Sequence, residues 1–159
     1  MKIERFKDNT DGTIKTVNII ENKVIEMSLL MNKDNMDVIC VPTHYFCNLG
    51  CKMCHLTSNK NKEMLPININ EFLYTLVKSL TNNLGFRRTK KEKLLISFMG
   101  VGEPLLNLKL IEDVVKSEYY IKERLGYTDI GYAISTMMPN DNLNILNIQK
   151  VSDSAISLQ

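Results

Sequence analysis

Apolar and polar residues alternate along the first part of the chain and then give way to continuous apolar runs. β-Branched residues recur at nearly every second position of residues 13–20, and the pattern returns in residues 24–30 after a short polar turn, which predicts a β-hairpin. Residues 38–41 and 94–99 are continuous apolar runs. Such runs are typical of strands that are buried on both faces of a parallel sheet.

Helical patterns alternate with strands in the rest of the chain. The spacing of apolar residues predicts helices at residues 66–85, 108–124 and 144–150. Two further apolar runs predict strands at residues 130–135 and 151–158. Strands and helices that alternate in this way build a parallel sheet through right-handed crossovers, so we expect an α/β fold.

Length, composition and charge set the limits of this prediction. The 159 residues, 44% of them apolar, are enough for one domain, which we divide into an N-terminal hairpin extension (1–34) and an α/β core (35–159). A formal charge of +2 does not identify a nucleic-acid-binding protein. No apolar run is long enough to span a bilayer and the start lacks a signal peptide, so a cytoplasmic protein without a membrane partner is expected.

Three cysteines, Cys47, Cys51 and Cys54, lie within eight residues directly after the run at 38–41. Thiolates this close together indicate an iron–sulfur cluster, zinc or cuprous copper. The alternative to a cluster is structural zinc with His44 or His55 as the fourth ligand. Structural zinc sites usually take their ligands as two separated pairs, which favours the cluster.

A second candidate site is Gly100-Val101-Gly102-Glu103-Pro104, which follows the apolar run at 94–99. Glycines at the end of a strand allow a ligand to approach the backbone, and a carboxylate there can accept hydrogen bonds from an ammonium group. Ligands of α/β folds bind at the carboxyl ends of the strands. The alternative is an ordinary strand-to-helix turn with Pro104 at the first helical position.

The Cys-x3-Cys-x2-Cys spacing resembles the signature of the radical S-adenosylmethionine (SAM) superfamily. More specifically, the chain resembles the radical SAM methyltransferases that modify C2 or C8 of an adenosine in 23S ribosomal RNA, of the type that also acts on transfer RNA. The resemblance is carried by segments in the family's order: 11–15, 24–26, 39–41 with the upstream Cys40, 98–107, 133–136 and 155–158. It implies that the core is a partial (βα) radical SAM barrel with parallel strands.

The resemblance also implies cofactors and roles. The cofactors are a [4Fe-4S] cluster and SAM, the substrate is RNA, and the electron donor is a flavodoxin or ferredoxin. The implied cluster ligands are Cys47, Cys51 and Cys54, and the implied SAM contacts are Gly102, Glu103, Ser135, Ser157, Leu158 and Gln159. Cys40 matches the cysteine that resolves a protein–RNA adduct, and Glu26 matches a proton acceptor.

The chain departs from the family at several positions. The family has His where Gln159 stands, and it carries the methyl group on a further cysteine, whereas the four cysteines here are Cys40 and the three cluster ligands. The family's N-terminal RNA-binding domain is also missing, and residues 55–58 and 137–138 diverge. The predicted last strand ends close to Gln159, so a fragment of a longer fold is expected.

Three functions are therefore open. The first is an RNA methyltransferase that acts as a fragment or with a partner segment. The second is a divergent radical SAM enzyme with another substrate, for which Cys40 is incidental. The third is a cluster-binding or zinc-binding protein without radical chemistry.

Overall fold

A computed structural model of the chain describes residues 2–30, 36–52, 54, 63–84, 92–137 and 156–158. Within these residues seven strands form one sheet, whose spatial order follows the order along the chain. The strands are β1 (Lys2–Lys7), β2 (Ile14–Ile20), β3 (Lys23–Leu30), β4 (Met36–Val41), β5 (Lys93–Phe98), β6 (Asp129–Ile134) and β7 (Ile156–Leu158). The helices are α1 (Ile69–Leu84), a 3-10 helix (Pro104–Asn107), α2 (Leu108–Lys116) and α3 (Glu118–Leu125).

The sheet is antiparallel from β1 to β4 and parallel from β4 to β7. The α/β class, the parallel strands and the predicted hairpin, which is β2 and β3, are confirmed. Strand β3 also pairs with β4, so the hairpin continues into the same sheet as the parallel strands. The sequence pattern did not predict β1, because four of its six residues are charged and hide the alternation.

One face of the sheet packs against the helices. Successive side chains of a strand point to opposite faces, and in β4 Ile39 and Val41 are fully buried. Phe72 of α1 stacks on Phe98 of β5 with the ring centroids 6.2 Å apart. This apolar layer between sheet and helices is the core, and its burial is the main favourable term in folding.

The opposite side of the sheet is called the far face below. Direct cross-strand neighbours place Lys15, Ser28, Cys40, Ser97 and Ala133 in one row across β2 to β6. The row lies toward the carboxyl ends of the parallel strands. Cys40 is half-buried there, in contrast to the fully buried Ile39 and Val41 on the helix side.

Helix α1 confirms the first predicted helix. Asn68 caps it by accepting a hydrogen bond from the backbone N–H of Glu71 at 3.0 Å, and the Asn68 amide donates back to the Glu71 carboxylate at 2.8 Å. This reciprocal arrangement satisfies polar groups that a helix start leaves unpaired. None of the helices in the described part of the chain has the length and apolar character needed to cross a bilayer.

The second predicted helix is wrong as a continuous element, because it is divided at Ser117 into α2 and α3. The Ser117 hydroxyl donates to the carbonyl of Asp113 at 2.7 Å, and its backbone N–H is shared between Asp113 and Val114. A serine that bonds back to the preceding turn competes with the regular helical hydrogen bonds. The predicted helix 144–150 and residues 151–155 of the predicted last strand lie outside the described residues.

Candidate functional site

A cavity of about 330 Å³ opens where the parallel strands end. Its volume is within the range of small-molecule sites, roughly 300–1,000 Å³. Three segments line it. They are the cysteine loop (residues 47–54), the glycine loop after β5 (residues 99–104) and residues 135–137, which follow β6. The lining residues are Cys47, Leu49, Cys51, Cys54, Met99, Gly100, Gly102, Glu103, Ser135, Thr136 and Met137.

The cysteine loop brings all three of its thiols to this cavity. Cys47, Cys51 and Cys54 are half-buried, and the backbone N–H of Cys54 donates to the carbonyl of Cys51 at 3.0 Å, which closes a tight turn. Gly50 turns the chain between the first two cysteines with a φ of 67°, in the left-handed region that favours glycine. The turn at Gly50 and the turn closed by Cys54 thus bring the three cysteine residues to the wall of one cavity.

A zinc ion needs its ligands around one point. No three His, Cys, Asp or Glu side chains of the described residues are grouped closely enough to hold a single ion. The structure thus does not assemble the three cysteines with His44 into a zinc site, and His55 lies outside the described residues. What the three cysteines share in the described part of the chain is the cavity that they line.

The glycine loop lies against the segment that leads from β4 into the cysteine loop. The backbone N–H of Gly100 donates to the carbonyl of Val41 at 3.1 Å. A Cβ on Gly100 would lie only 2.8 Å from the backbone nitrogen of Pro42, so glycine is required by this close approach. The carbonyl of Val101 accepts from the backbone N–H groups of Thr43 at 2.9 Å and His44 at 3.2 Å.

Glu103 is the buried carboxylate of the cavity, with 2% of its surface exposed. It accepts from the backbone N–H of Leu105 at 3.0 Å and so caps the 3-10 helix, with Pro104 at the helix start. It also accepts from the Thr136 hydroxyl at 2.5 Å and from the backbone N–H of Met137 at 3.0 Å. The strand-to-helix turn is therefore confirmed, and Glu103 also lines the cavity, while its contact with a ligand stays a prediction.

His44 lies beneath the glycine loop and is also buried, with 2% exposed. Its Nδ1 makes a hydrogen bond with the Thr43 hydroxyl at 2.9 Å. Burial lowers the pKa of His44 below its ordinary value, and the nearby Glu103 carboxylate opposes this shift. The ring is thus held neutral at neutral pH.

Ser135 follows β6 and reaches the cavity, and its backbone N–H donates to the carbonyl of Phe98 at 3.2 Å. In β7, Ser157 is the parallel neighbour of Ala133 and Leu158 that of Ile134. These positions place β7 beside the strand that leads to Ser135. Gln159 lies outside the described residues.

The two residues with predicted catalytic roles do not line the cavity. Cys40 is on the far face of β4, and burial raises the pKa of its thiol. Glu26 is on β3, where its carboxylate pairs with Lys15 at 2.8 Å, and the two side chains are 40% and 46% exposed. The Glu26–Lys15 pair lies on the same face of the sheet as Cys40, because Ser28 is directly opposite Cys40 and two residues from Glu26.

Sequence reasoning missed three groups that shape the site. Thr136 and Met137 hold the Glu103 carboxylate, although residue 137 lies in the stretch that departs from the family pattern. The Asn107 amide donates to the carbonyl of Thr43 at 2.8 Å and ties the start of α2 to the segment before the cysteines. An asparagine at the predicted start of a helix was a signal for a cap, but nothing in its spacing indicated a contact 64 residues away.

Comparison with known proteins gives a consistent result, although no protein-family model matches the chain. The chain is 30% identical to the probable dual-specificity RNA methyltransferase RlmN of Christiangramia forsetii over 74% of the chain and 34% of that relative. It is 28% identical to the dual-specificity RNA methyltransferase RlmN of Buchnera aphidicola over 94% of the chain and 48% of the relative. For the corresponding protein of Syntrophotalea carbinolica the identity is 30% over 84% of the chain and 33% of the relative.

The matched region is only part of these proteins. The chain spans between about a third and a half of the length of these three curated relatives. Within that span, the resemblance that the motifs indicated is confirmed.

Proposed function

We propose that this chain, a partial relative of the dual-specificity RNA methyltransferases, is the cofactor-binding part of a radical SAM enzyme that acts on RNA. The observation that carries the proposal is the meeting of three cysteines, Glu103 and Ser135 around one cavity. They come from three loops that are far apart in sequence. Soft thiolates are ligands for an iron–sulfur cluster. A buried carboxylate can accept hydrogen bonds from the ammonium group of a zwitterionic ligand.

In this proposal Cys47, Cys51 and Cys54 hold a four-iron cluster. When bound, such a cluster would supply the electron for the reductive cleavage of SAM. The chain's part is to bind and orient. Leu49, Met99 and Met137 line the cavity with apolar surface, and each of them is more than a third exposed to solvent.

Glu103 is the proposed partner of the SAM ammonium group. Its carboxylate already accepts three hydrogen bonds, which fix its orientation, and a carboxylate has about four acceptor positions. Counted against the described residues, one acceptor position remains for a ligand. Gly102 and Ser135 are proposed to contact SAM from either side of Glu103, and Ser157, Leu158 and Gln159 to extend the set along β7.

Cys40 and Glu26 are proposed as the groups that act on the RNA. Both lie on the far face of the sheet, which would be the inner wall of a partial (βα) barrel. Cys40 is held as a thiol, so it must give up its proton before it attacks a protein–RNA adduct. Glu26 is paired with Lys15 through one contact and its side chain is 40% exposed, so its carboxylate can reach a substrate while the pair is formed.

The rest of the proposal rests on the resemblance of the motifs to the radical SAM methyltransferases of 23S ribosomal RNA. The substrate is 23S ribosomal RNA or transfer RNA, the electron donor is a flavodoxin or ferredoxin, and the protein acts in the cytoplasm. Residues 1–34 form an extension to the core at 35–159. All four cysteines of the chain have a role in this scheme, so residues 1–159 offer no further thiol to carry a methyl group.

Anaerobic reconstitution with iron and sulfide tests the cofactor assignment. We expect one four-iron cluster per chain, with an electron paramagnetic resonance spectrum that changes when SAM is added. An equimolar content of zinc under iron-replete conditions, without any response to SAM, would contradict the proposal.

Reduction of the reconstituted chain in the presence of SAM and RNA tests the chemistry. Because the chain has no carrier thiol, we expect 5′-deoxyadenosine without methylated RNA. Adding the carboxyl-terminal part of a related enzyme should restore methylation, and Cys40→Ala should then accumulate a protein–RNA crosslink. If mass spectrometry detects methyladenosine formed by this chain alone, methylation does not need a further thiol and this part of the proposal is wrong.

A further inference from the structure

We propose that His44 is a positioning residue that holds the glycine loop, and with it Glu103, at a set distance from the cysteine loop, and that it thereby determines the affinity for SAM. This inference rests on the proposed function. His44 was considered from the sequence only as a zinc ligand, and the described residues do not group it with the cysteines around one ion. Its contacts point to a different role.

The imidazole of His44 occupies the space next to Gly102. A Cβ built on Gly102 would lie 2.8 Å from both the Cβ and the Cγ of His44, and closer still to its Nδ1. Atoms cannot approach so closely, so any side chain at position 102 would have to displace the ring. Gly102 also has a φ of 102°, which L-residues rarely adopt. Two separate constraints therefore require glycine here.

The ring is fixed on its other sides. Its Nδ1 makes a hydrogen bond with the Thr43 hydroxyl at 2.9 Å, and the backbone N–H of His44 donates to Val101 at 3.2 Å. His44 also forms an isolated β-bridge with Pro66, the residue that leads to α1. With 2% of its surface exposed, the side chain has little room to change rotamer.

The contact between His44 and Gly102 matters because both residues lie close in sequence to residues of the cavity. Gly102 directly precedes Glu103, and His44 precedes Cys47 by three residues. The ring thus belongs to the segment that leads to the first thiol and packs against the segment that carries the carboxylate. A planar, rigid group at that point sets the separation between them. Misplacing a binding group by about an ångström weakens binding strongly.

A double-mutant cycle tests the contact without any cofactor. Gly102→Ala, His44→Ala and the double variant are compared with the parent protein by urea unfolding. If the ring obstructs the new Cβ, the double variant should lose less stability than the sum of the losses of the two single variants. The unfolding equilibrium constant of the double variant should then be roughly fivefold smaller than additivity predicts. Additive losses would show that only the φ of residue 102 matters.

Gly12→Ala is the matched control for this cycle. Gly12 has a φ of 77°, but a Cβ there meets nothing within 4 Å. The alanine is therefore penalised by backbone strain alone. We expect Gly12→Ala and His44→Ala to be additive, and coupling between them would indicate that His44→Ala unfolds the chain in general and would overturn the inference.

SAM titration of the reconstituted protein tests the consequence. His44→Ala should keep the iron and sulfide content of the parent but require about tenfold more SAM for the half-maximal spectral change. His44→Asn, which keeps a polar atom near the Thr43 hydroxyl, should recover part of the affinity. A merely structural role would lower the iron content and leave the SAM midpoint unchanged.

The two proposals fail in distinguishable ways. If the parent protein responds to SAM and His44→Ala has the same midpoint, this inference is overturned and the proposed function stands. If the parent protein binds a cluster or zinc but does not respond to SAM, both are overturned together.

Discussion

The cavity and the far face of the sheet differ in how firmly the described residues hold the carboxylate that each contains. At the cavity, Glu103 is 2% exposed and receives three hydrogen bonds from two segments. On the far face, the Glu26 side chain is 40% exposed and its carboxylate forms an ion pair with Lys15 at 2.8 Å. One carboxylate is positioned before any ligand arrives, and the other is presented to solvent.

This difference follows from the strands on which the residues lie. The cavity is formed where parallel strands end and their loops meet, so each loop supports the next through backbone hydrogen bonds. Glu26 lies within an antiparallel strand, and in the described part of the chain its carboxylate pairs with Lys15 on the neighbouring strand. We therefore expect substitutions at the cavity to have larger effects than substitutions on the far face.

The largest effect is expected from the cluster cysteines. Replacing Cys47, Cys51 or Cys54 with Ala removes one of only three anchors, so reconstituted iron should fall from roughly four per chain to near zero. Cys40→Ala is the control, because this thiol lies on the far face, and it should retain the iron. Metal analysis after desalting measures both, and full iron retention in any of the three variants would contradict the assignment.

Glu103→Gln should have the next largest effect. The amide cannot accept from all three donors as the carboxylate does, and hydrogen bonds to a charged group are worth about 1.5–3 kcal/mol. We expect a loss of stability of this order by urea unfolding and, after reconstitution, a tenfold to hundredfold loss of SAM affinity. Glu112→Gln on α2 serves as the control, since this carboxylate lies 3.6 Å from Lys116 on the surface. Parent-like behaviour of Glu103→Gln in both measurements would leave the carboxylate without a role.

The pH dependence of stability should reveal the buried histidine. The pKa of His44 is lowered from its ordinary value of 6.5, so below this pH the unfolded chain binds a proton at His44 before the folded chain does. The contribution of His44 is thus present above pH 6.5 and is lost as the pH falls, with a slope of at most about 1.4 kcal/mol per pH unit.

Urea unfolding of the parent and of His44→Asn at several pH values between 5 and 8 measures this contribution. The variant should show the shallower decline, and His55 cancels because both proteins contain it. Parallel curves would exclude a buried neutral imidazole at position 44.

The smallest effect is expected on the far face. Lys15→Met breaks the ion pair with Glu26, but both side chains are largely exposed, and such pairs contribute between 0 and about 1 kcal/mol. We expect a loss of less than about 0.5 kcal/mol that disappears in 1 M salt. A larger loss that salt does not remove would show that the pair is shielded from solvent and that the far face is covered.

Several elements could be predicted from the sequence because their signals are local. The alternation in residues 13–30, the apolar run at 94–99 and the helical stripe of α1 each follow from the few residues involved. The spacing of the three cysteines predicted that they share one site, and all three line the same cavity. Strand β1 and the division at Ser117 were missed, because charged residues hid one pattern and a single hydroxyl broke the other.

Only the tertiary structure decided which distant groups meet. The sequence determined that Glu103 follows a strand and precedes a helix, but the contacts of its carboxylate with Thr136 and Met137 depend on the parallel register of β5 and β6. In the same way, the sequence predicted that Gly102 allows a ligand to approach the backbone, whereas packing shows that the ring of His44 occupies the space a side chain there would need. Local patterns specify strands and helices through their own periodicity, whereas contacts between loops arise when the strands align and bring their ends together.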